Sequence, residues 1–428
     1  MSVPTPAAAR RVFLLLTATR WFPVGLVVTA TTLLPVERGL SVAQTLTLLS
    51  VTGLVVFVLE LPTAGFADSL GRRPVLVTAA VVQVLAAVAF ATAQTLAGFA
   101  VAAVATGVFR ALDSGPLEAW FVDSVHATLP GADVDRTLAH QGTVLGVSIA
   151  LGALVSGGLV WWDPVNAWSA LTLPYVVYAV LAVAHLAAVA LLLTEGDGEV
   201  RPPWRARASR AVASARRAPA TVAGGLRLVR GNRVLLALLL VEVFWMTAMV
   251  VFESLVPLRM AELVGSEARA GALMGPVAAV GWAVFAAGAG LAGLASARFG
   301  AARTAMAARV LNGLGAVWTG LVAGPAALVA AYLVTYGLHG SGGPVYNALL
   351  HREAAAHNRA TVLSMASMVG FLSAAAAAPL LGWTAGVLST PAAMVAGGGF
   401  SVLGALCFLP ALRREKELRA AGEVAVRL

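Results

Sequence analysis

The residues that decide the fold are AQTLTLLSVTGLVVFVLELPTA (43–64), then Gly65-Phe66-Ala67-Asp68-Ser69-Leu70-Gly71-Arg72-Arg73, then PVLVTAAVVQVLAAVAFATAQ (74–94). Each flanking run has the length a helix needs to cross the hydrocarbon of a bilayer, about 20 residues. Inside a bilayer no water satisfies the backbone, so such a run must bond within itself, which a helix does. The turn between them collects one acid and two bases between glycines. The stretch therefore reads as a helical hairpin that enters and leaves a membrane.

The same pattern continues in both directions. Apolar windows fall near 12–34, 43–64, 74–94, 97–122, 138–161 and 168–193, then near 233–257, 271–294, 304–323, 326–348, 361–383 and 391–411. Breaks as short as Gly324-Pro325 imply antiparallel neighbours. The whole chain of 428 residues is 59% hydrophobic and 11% charged, with a mean hydropathy of +0.87. Soluble domains carry about 25% charged residues, and surface-to-volume scaling leaves no soluble core able to absorb this much apolar side chain. An all-α membrane protein of about twelve transmembrane helices follows.

The net charge of +9 could suggest nucleic acid, but the distribution of the bases excludes that class. With the N-terminus in the cytoplasm, about 23 of the 29 basic residues fall in cytoplasmic segments, as the positive-inside rule requires. Arg38, Arg259 and Arg269 fall outside, and Arg20, Arg110 and Arg309 fall within or near the ends of spans. The expected location is the cell (inner) membrane, multi-pass, with both termini cytoplasmic. Arg10 and Arg11 precede an apolar run too long for a signal-peptide core, so that run reads as the first span. Cys407 is the single cysteine, which excludes a disulfide and a cysteine metal site.

The one long interior loop, 194–232, begins Glu195-Gly-Asp-Gly-Glu199 and turns arginine-rich, with Arg205, Arg207, Arg210, Arg216 and Arg217. It reads either as an interfacial helix on anionic lipid or as a solvated linker. It divides the chain into an N-terminal six-helix bundle (1–193), a basic cytoplasmic linker (194–232), a C-terminal six-helix bundle (233–412) and a cytoplasmic tail (413–428). The two halves start about 221 residues apart, and such repeats place substrate near the bilayer midplane.

The turn at 65–73, at this position among twelve spans, resembles the signature of the major facilitator superfamily, G-x-x-x-D-x-x-G-R-R/K after the second helix. Gly65, Asp68, Gly71, Arg72 and Arg73 match it, and Ser69 stands where the family commonly has a base. The resemblance covers about residues 10–412. It implies two pseudo-symmetric six-helix bundles and a cytoplasmic gating role for this motif. The repeat predicts a second copy after the eighth span. Gly293-Leu-Ala-Ser-Ala-Arg298-Phe-Gly300-Ala-Ala-Arg303 fills that place, with Gly300 aligned to Gly71 and Ala297 where the acid would be.

Charged groups inside membrane helices are expensive and are functional candidates by default. The fourth span contains Arg110, Asp113 and Glu118. Arg110 and Asp113 lie three residues apart, so they can pair on one helix face, and Arg20 of the first span can join them. The seventh span holds Glu242 and, near its outer end, Glu253; the tenth holds His339 in a glycine-rich stretch. The resemblance implies that spans 1, 4, 7 and 10 line the substrate path. Arg20, Arg110, Asp113, Glu118, Glu242 and His339 are thus the candidates for proton coupling and substrate. Burial in an apolar environment raises a carboxylate's pKa, which suits proton exchange. The glycines of the fifth span, Gly142, Gly146, Gly152, Gly157 and Gly158, read as close-packing positions. The family's antiport exporters often carry G-x-x-x-G-P-x-x-G-G there, and this chain lacks the proline. Trp161, Trp162 and Trp168 read as an interfacial belt.

No phosphate-binding G-x-x-x-x-G-K-S/T loop, H-E-x-x-H motif or nucleophile elbow is present. No enzymatic activity, cofactor or metal is expected. The expected function is a proton-coupled antiporter exporting small amphipathic compounds, acting as a monomer on a small-molecule substrate and protons within the lipid bilayer. The alternative is a carrier of an anionic metabolite held by Arg20 and Arg110.

Overall fold

A computed structural model of the chain describes residues 4–165, 167–194, 203–354, 358–420 and 422. Among the described residues all regular structure is helical. Ten segments are long and apolar enough to cross a membrane. The first joins α1 (Pro6–Val27) and α2 (Ala30–Glu37). α3 (Val42–Leu70) and α4 (Arg72–Thr92) follow, then α5 (Leu96–Asp113) with α6 (Pro116–Thr128), α7 (Asp135–Trp162), and α8 (Leu173–Leu192). After α9 (Trp204–Arg230) come α10 (Arg233–Met249) with α11 (Val256–Val264), and α12 (Glu267–Phe299). α13 (Ala301–Leu321) and α14 (Pro325–Glu353) precede α15 (Arg359–Val387) and the last span, α16 (Thr390–Leu403) with α17 (Leu409–Ala420). α13 and α14 have membrane length, 21 and 29 residues. They are less apolar than the other ten because they carry Arg309, Asn312, Tyr336 and His339. With them the described residues hold about twelve spans.

Besides the first and last spans, each joined from two helices, two more depart from single smooth helices. The fourth, expected as one helix over 97–122, breaks at Ser114-Gly115. Ser114 is extended and Gly115 has φ 92, a left-handed conformation open to glycine at little cost. Pro116 then starts α6 at the position where its missing N–H does no harm. The seventh passes through a π-helical turn, Val250–Leu255, between α10 and α11; such turns recur at functional sites.

The chain divides into two compact units, Met1–Leu40 with Val51–Pro219 and Glu267–Ala279, and Ser41–Ser50 with Ala220–Ser266 and Val280–Leu428. Within the first, α1 packs on α7, and α4 on α5 and α8. Within the second, α10 packs on α15, and α13 on α14 and α16. These pairings correspond one to one under the repeat: spans 1–5, 3–4 and 3–6 become 7–11, 9–10 and 9–12. The close approaches run through glycine, as expected of membrane helices that have no hydrophobic drive toward each other. A Cβ on Gly152 of α7 would overlap the Phe22 carbonyl of α1, and one on Gly398 of α16 would meet Val317 of α13. Phe13 stacks on Phe121 with centroids 4.6 Å apart in the first core. Leu235, Leu238, Ala305, Leu349 and Phe408 fill the second. Leu85, Val101, Leu191, Leu294 and Leu380 are exposed, the faces that lipid covers.

Candidate functional site

In the first unit the buried stripe of α1 runs Ala9, Phe13, Leu16, Thr17, Arg20. The 3–4 residue spacing of that stripe turns Arg20 inward with the apolar core. Its Nε donates to Asp113 Oδ2 at the C-terminal end of α5, and the pair is an ion pair with side chains 8% and 13% exposed. The helix break at Ser114-Gly115 makes Asp113 the last residue of α5. The guanidinium lies 4.0 Å from the Trp21 ring centroid and 4.6 Å from that of Phe109, which adds cation–π attraction. Its Nη1 is buried without a hydrogen-bond partner.

Glu118, in the first turn of α6, accepts a hydrogen bond from Gln141 Nε2 of α7. Its place near a helix N-terminus suits its negative charge. Arg110 is exposed, and the cation that meets Asp113 is Arg20, from another helix rather than from the same one. His185 of α8, 4% exposed, sits 2.9 Å from Thr19 Oγ1 through its Nδ1.

In the second unit Glu242 extends the buried stripe Leu235, Leu238, Leu239 of α10. It is buried, and it faces Tyr346 of α14 and Arg309 of α13. Arg309 lies on the buried stripe Ala302, Ala305, Arg309, Asn312, Ala316. Its Nη1 donates to Asn312 Oδ1 at 3.2 Å, Asn312 Nδ2 donates to the Thr335 carbonyl at 3.2 Å, and the guanidinium stands 4.7 Å from the Trp245 centroid. Arg309 Nε is buried without a partner.

Trp245 Nε1 donates to His339 Nδ1 at 3.0 Å. An indole N–H can only donate, so His339 Nδ1 must carry its lone pair there, and a neutral ring holds its proton on Nε2. Phe252, Phe285 and Tyr336 surround the imidazole, with centroids 4.8, 5.6 and 6.0 Å away. Tyr336 Oη donates to Glu253 Oε1 at 3.4 Å, on the π-helical turn.

Each unit thus buries one arginine stacked on a tryptophan and set against a carboxylate. The structure brings Arg20 and Asp113 together, and it places Glu242 and His339 in the second unit around Trp245. It does not bring Arg110 or Glu118 onto the Arg20–Asp113 pair by any hydrogen bond. Sequence reasoning passed over Arg309, Asn312, Tyr346 and His185 as site residues. Arg309 could have been found, since a guanidinium in the middle of an apolar span needs a buried partner. Tyr346 and His185 carry no such signal.

The model of the Major Facilitator Superfamily matches residues 13–378. The chain belongs to the Major Facilitator Superfamily. Among solved structures, the nucleoside transporter NupG superposes with a TM-score of 0.73 at 11% identity, over 94% of this chain and 98% of that one. A POT family transporter in complex with a thioalcohol-conjugated peptide gives 0.71 at 14% identity, over 95% and 96%. A peptide transporter POT in complex with sulfate gives 0.69 at 15% identity, over 95% and 94%. At these identities the likeness speaks for the fold. No sequence match was found among curated proteins.

As a Major Facilitator protein, the chain carries the family's motif at the end of α3. The side chains of Gly65 and Asp68 lie outside the described residues. Gly71 has φ 97 and ends the turn, so that α4 can begin at Arg72. Arg72 Nη2 pairs with Asp123 Oδ2 of α6 at 2.7 Å, and Arg73 Nη2 donates to the Ala190 carbonyl of α8 at 2.7 Å. In the second copy Gly300 has φ 91 ahead of α13, the same conformation at the aligned position. There the Ala302 N–H donates to Glu415 Oε2 at 3.1 Å, and Glu353 of α14 pairs with Arg414 at 3.3 Å and accepts from Asn232 Nδ2 at 3.0 Å. Both turns bind the end of the span that follows them to the ends of its neighbours. In the second the acid that meets the start of α13 is Glu415 of α17.

Proposed function

We propose that the chain is a proton-coupled secondary antiporter that exports small amphipathic compounds by alternating access, from the cell (inner) membrane, with both termini cytoplasmic. The observation that carries this reading is the Arg20–Asp113 pair, buried among Trp21 and Phe109. A carboxylate paired to a guanidinium balances its charge; a proton arriving on Asp113 cancels that balance and releases Arg20. The two states of Asp113 therefore present different charge to a solute, which is what exchange of proton for solute requires. Glu242, with Arg309 and Tyr346, is a second carboxylate of the same construction. The flanking rings give an amphipathic solute apolar surface.

In this reading residues 1–193 and 233–412 are the two working halves, 194–232 the linker and 413–428 a tail. The protein works as a monomer, without enzymatic activity, cofactor, metal or nucleic acid. Gly65, Asp68, Gly71, Arg72 and Arg73 act as the cytoplasmic gate.

A specific observation favours the second reading, a carrier of an anionic metabolite. Arg20 Nη1 is buried and unpartnered, and such a donor suits a carboxylate or phosphate oxygen. The counter-charge of Asp113 weighs against it.

The deciding measurement is uptake into proteoliposomes under an imposed pH gradient, with cationic dyes and common antibiotics as substrates. Wild-type protein should accumulate substrate against the gradient. Asp113→Asn and Glu242→Gln should each lower coupled transport, measured per folded protein, by about 100-fold or more, the scale of a lost proton-transfer group. Transport indifferent to the gradient, together with binding of anionic metabolites that Arg20→Gln abolishes, would overturn the antiporter reading in favour of the second.

A further inference from the structure

Helix α9 is absorbed by neither reading of function, and its chemistry is one-sided. Its 27 residues, WRARASRAVASARRAPATVAGGLRLVR, hold seven arginines and no acid. Arg205, Arg216 and Arg227 recur every eleven residues, a spacing that returns them to one side of a helix within about 20° per step. Arg230 falls on the same side, and all four are exposed.

The other side is spoken for. Ala211 and Val229 are buried, Gly225 packs on Met365 and Thr361 of α15, and Arg207 Nε donates to the Ser69 carbonyl in the turn before α4 at 3.3 Å. Arg216, Arg227 and Arg230 therefore lie on the side of the helix turned away from these contacts, and they carry the stripe.

We propose that this stripe binds anionic phospholipid headgroups, and that α9 is a surface helix held by membrane charge. Three observations select a lipid over a soluble acidic partner. Only Gly231 and Asn232 separate α9 from α10, whose first residue, the exposed Arg233, opens a membrane span. Arg227 and Arg230 are thus tethered within two turns of the bilayer surface, where headgroups are at far higher local concentration than any soluble anion. Asn232 caps α10 through its Oδ1, accepting from the Val234 and Leu235 N–H groups at 3.0 and 3.1 Å, so the span begins immediately after α9. An exposed stripe of one sign with no acid on the helix attracts an anionic leaflet by about a fivefold factor in binding per arginine at the surface. The proposal rests on the membrane spans alone and is independent of what is transported.

The test is hydrogen exchange of the full chain in nanodiscs of phosphatidylcholine alone and of phosphatidylcholine mixed with phosphatidylglycerol. Backbone amides of 204–230 should exchange at least about fivefold more slowly with the anionic lipid, and added salt should erase the difference. Arg216→Gln/Arg227→Gln/Arg230→Gln should exchange alike in both nanodiscs, with α4 peptides unchanged from wild type as the check on folding. Equal exchange of wild-type α9 in the two nanodiscs would overturn the proposal. So would protection in phosphatidylcholine on adding a soluble polyanion such as heparin, with no effect of phosphatidylglycerol, because the stripe would then belong to a soluble acidic partner.

Discussion

Arg309 and Glu242 put a guanidinium and a carboxylate in the same buried neighbourhood, with Arg309 3% and Glu242 7% exposed. Removing one member of such a pair leaves the other as an uncompensated buried charge, at a cost of about 3–5 kcal/mol. Removing both can cost much less. Arg309→Gln and Glu242→Gln should therefore each lower the melting temperature in detergent, and the double variant should melt closer to wild type than the sum of the two losses implies. Strict additivity would mean that the two groups do not compensate each other. The same arithmetic explains what a sequence shows at this scale. Arg20, Asp113 and Glu242 stand out because charge inside an apolar run is costly and rare. Which cation meets which anion is not legible, since Arg110 is only three residues from Asp113 yet the partner comes from α1. Helical spacing states what two groups on one helix are able to do. It is silent about a third group that another helix inserts.

At the scale of elements, the fifth span carries two glycines that a sequence cannot tell apart. A Cβ at Gly142 meets open space, whereas one at Gly152 would overlap the Phe22 carbonyl of α1, a backbone atom that cannot swing aside. Both lie within α7. Gly142→Ala should be neutral or stabilising by up to about 1 kcal/mol, because alanine is the better helix former. Gly152→Ala should force α1 and α7 apart, lowering both the melting temperature and the yield of folded protein. Equal behaviour of the two variants would remove the close α1–α7 contact from the account. The small-residue pattern revealed that this helix packs tightly, but not which glycine touches. The break of the fourth span after Asp113 was likewise written in Ser114-Gly115-Pro116. A continuous apolar window conceals it, because hydropathy averages over the very residues that interrupt the helix.

At the scale of the whole molecule, the repeat is the most legible feature and the one with the furthest consequence. Gly71 and Gly300, 229 residues apart, share a left-handed conformation at φ 97 and 91, and the helix pairings of one unit recur in the other. Conformation is kept even though Ala297 stands where the first copy has Asp68, because the turn needs the glycine whether or not the acid is present. An even number of spans returns the chain to the side it started from. In the proposed topology the N-terminus, the turn at 65–73, α9, the turn at 293–303 and the C-terminal tail share one side, and the excess of arginine there is what assigns that side to the cytoplasm. A reporter that fluoresces only in the cytoplasm should be bright when fused after Gly71, Gly231 or Ala420, and dark after Gly39, Gln94 or Gly265. A reporter active only outside should give the reverse. Brightness after both Gly39 and Gly71 would break the hairpin from which the whole reading starts. A uniform inversion of every site would preserve the twelve spans and place the basic helix, and the anionic lipid proposed for it, on the opposite leaflet.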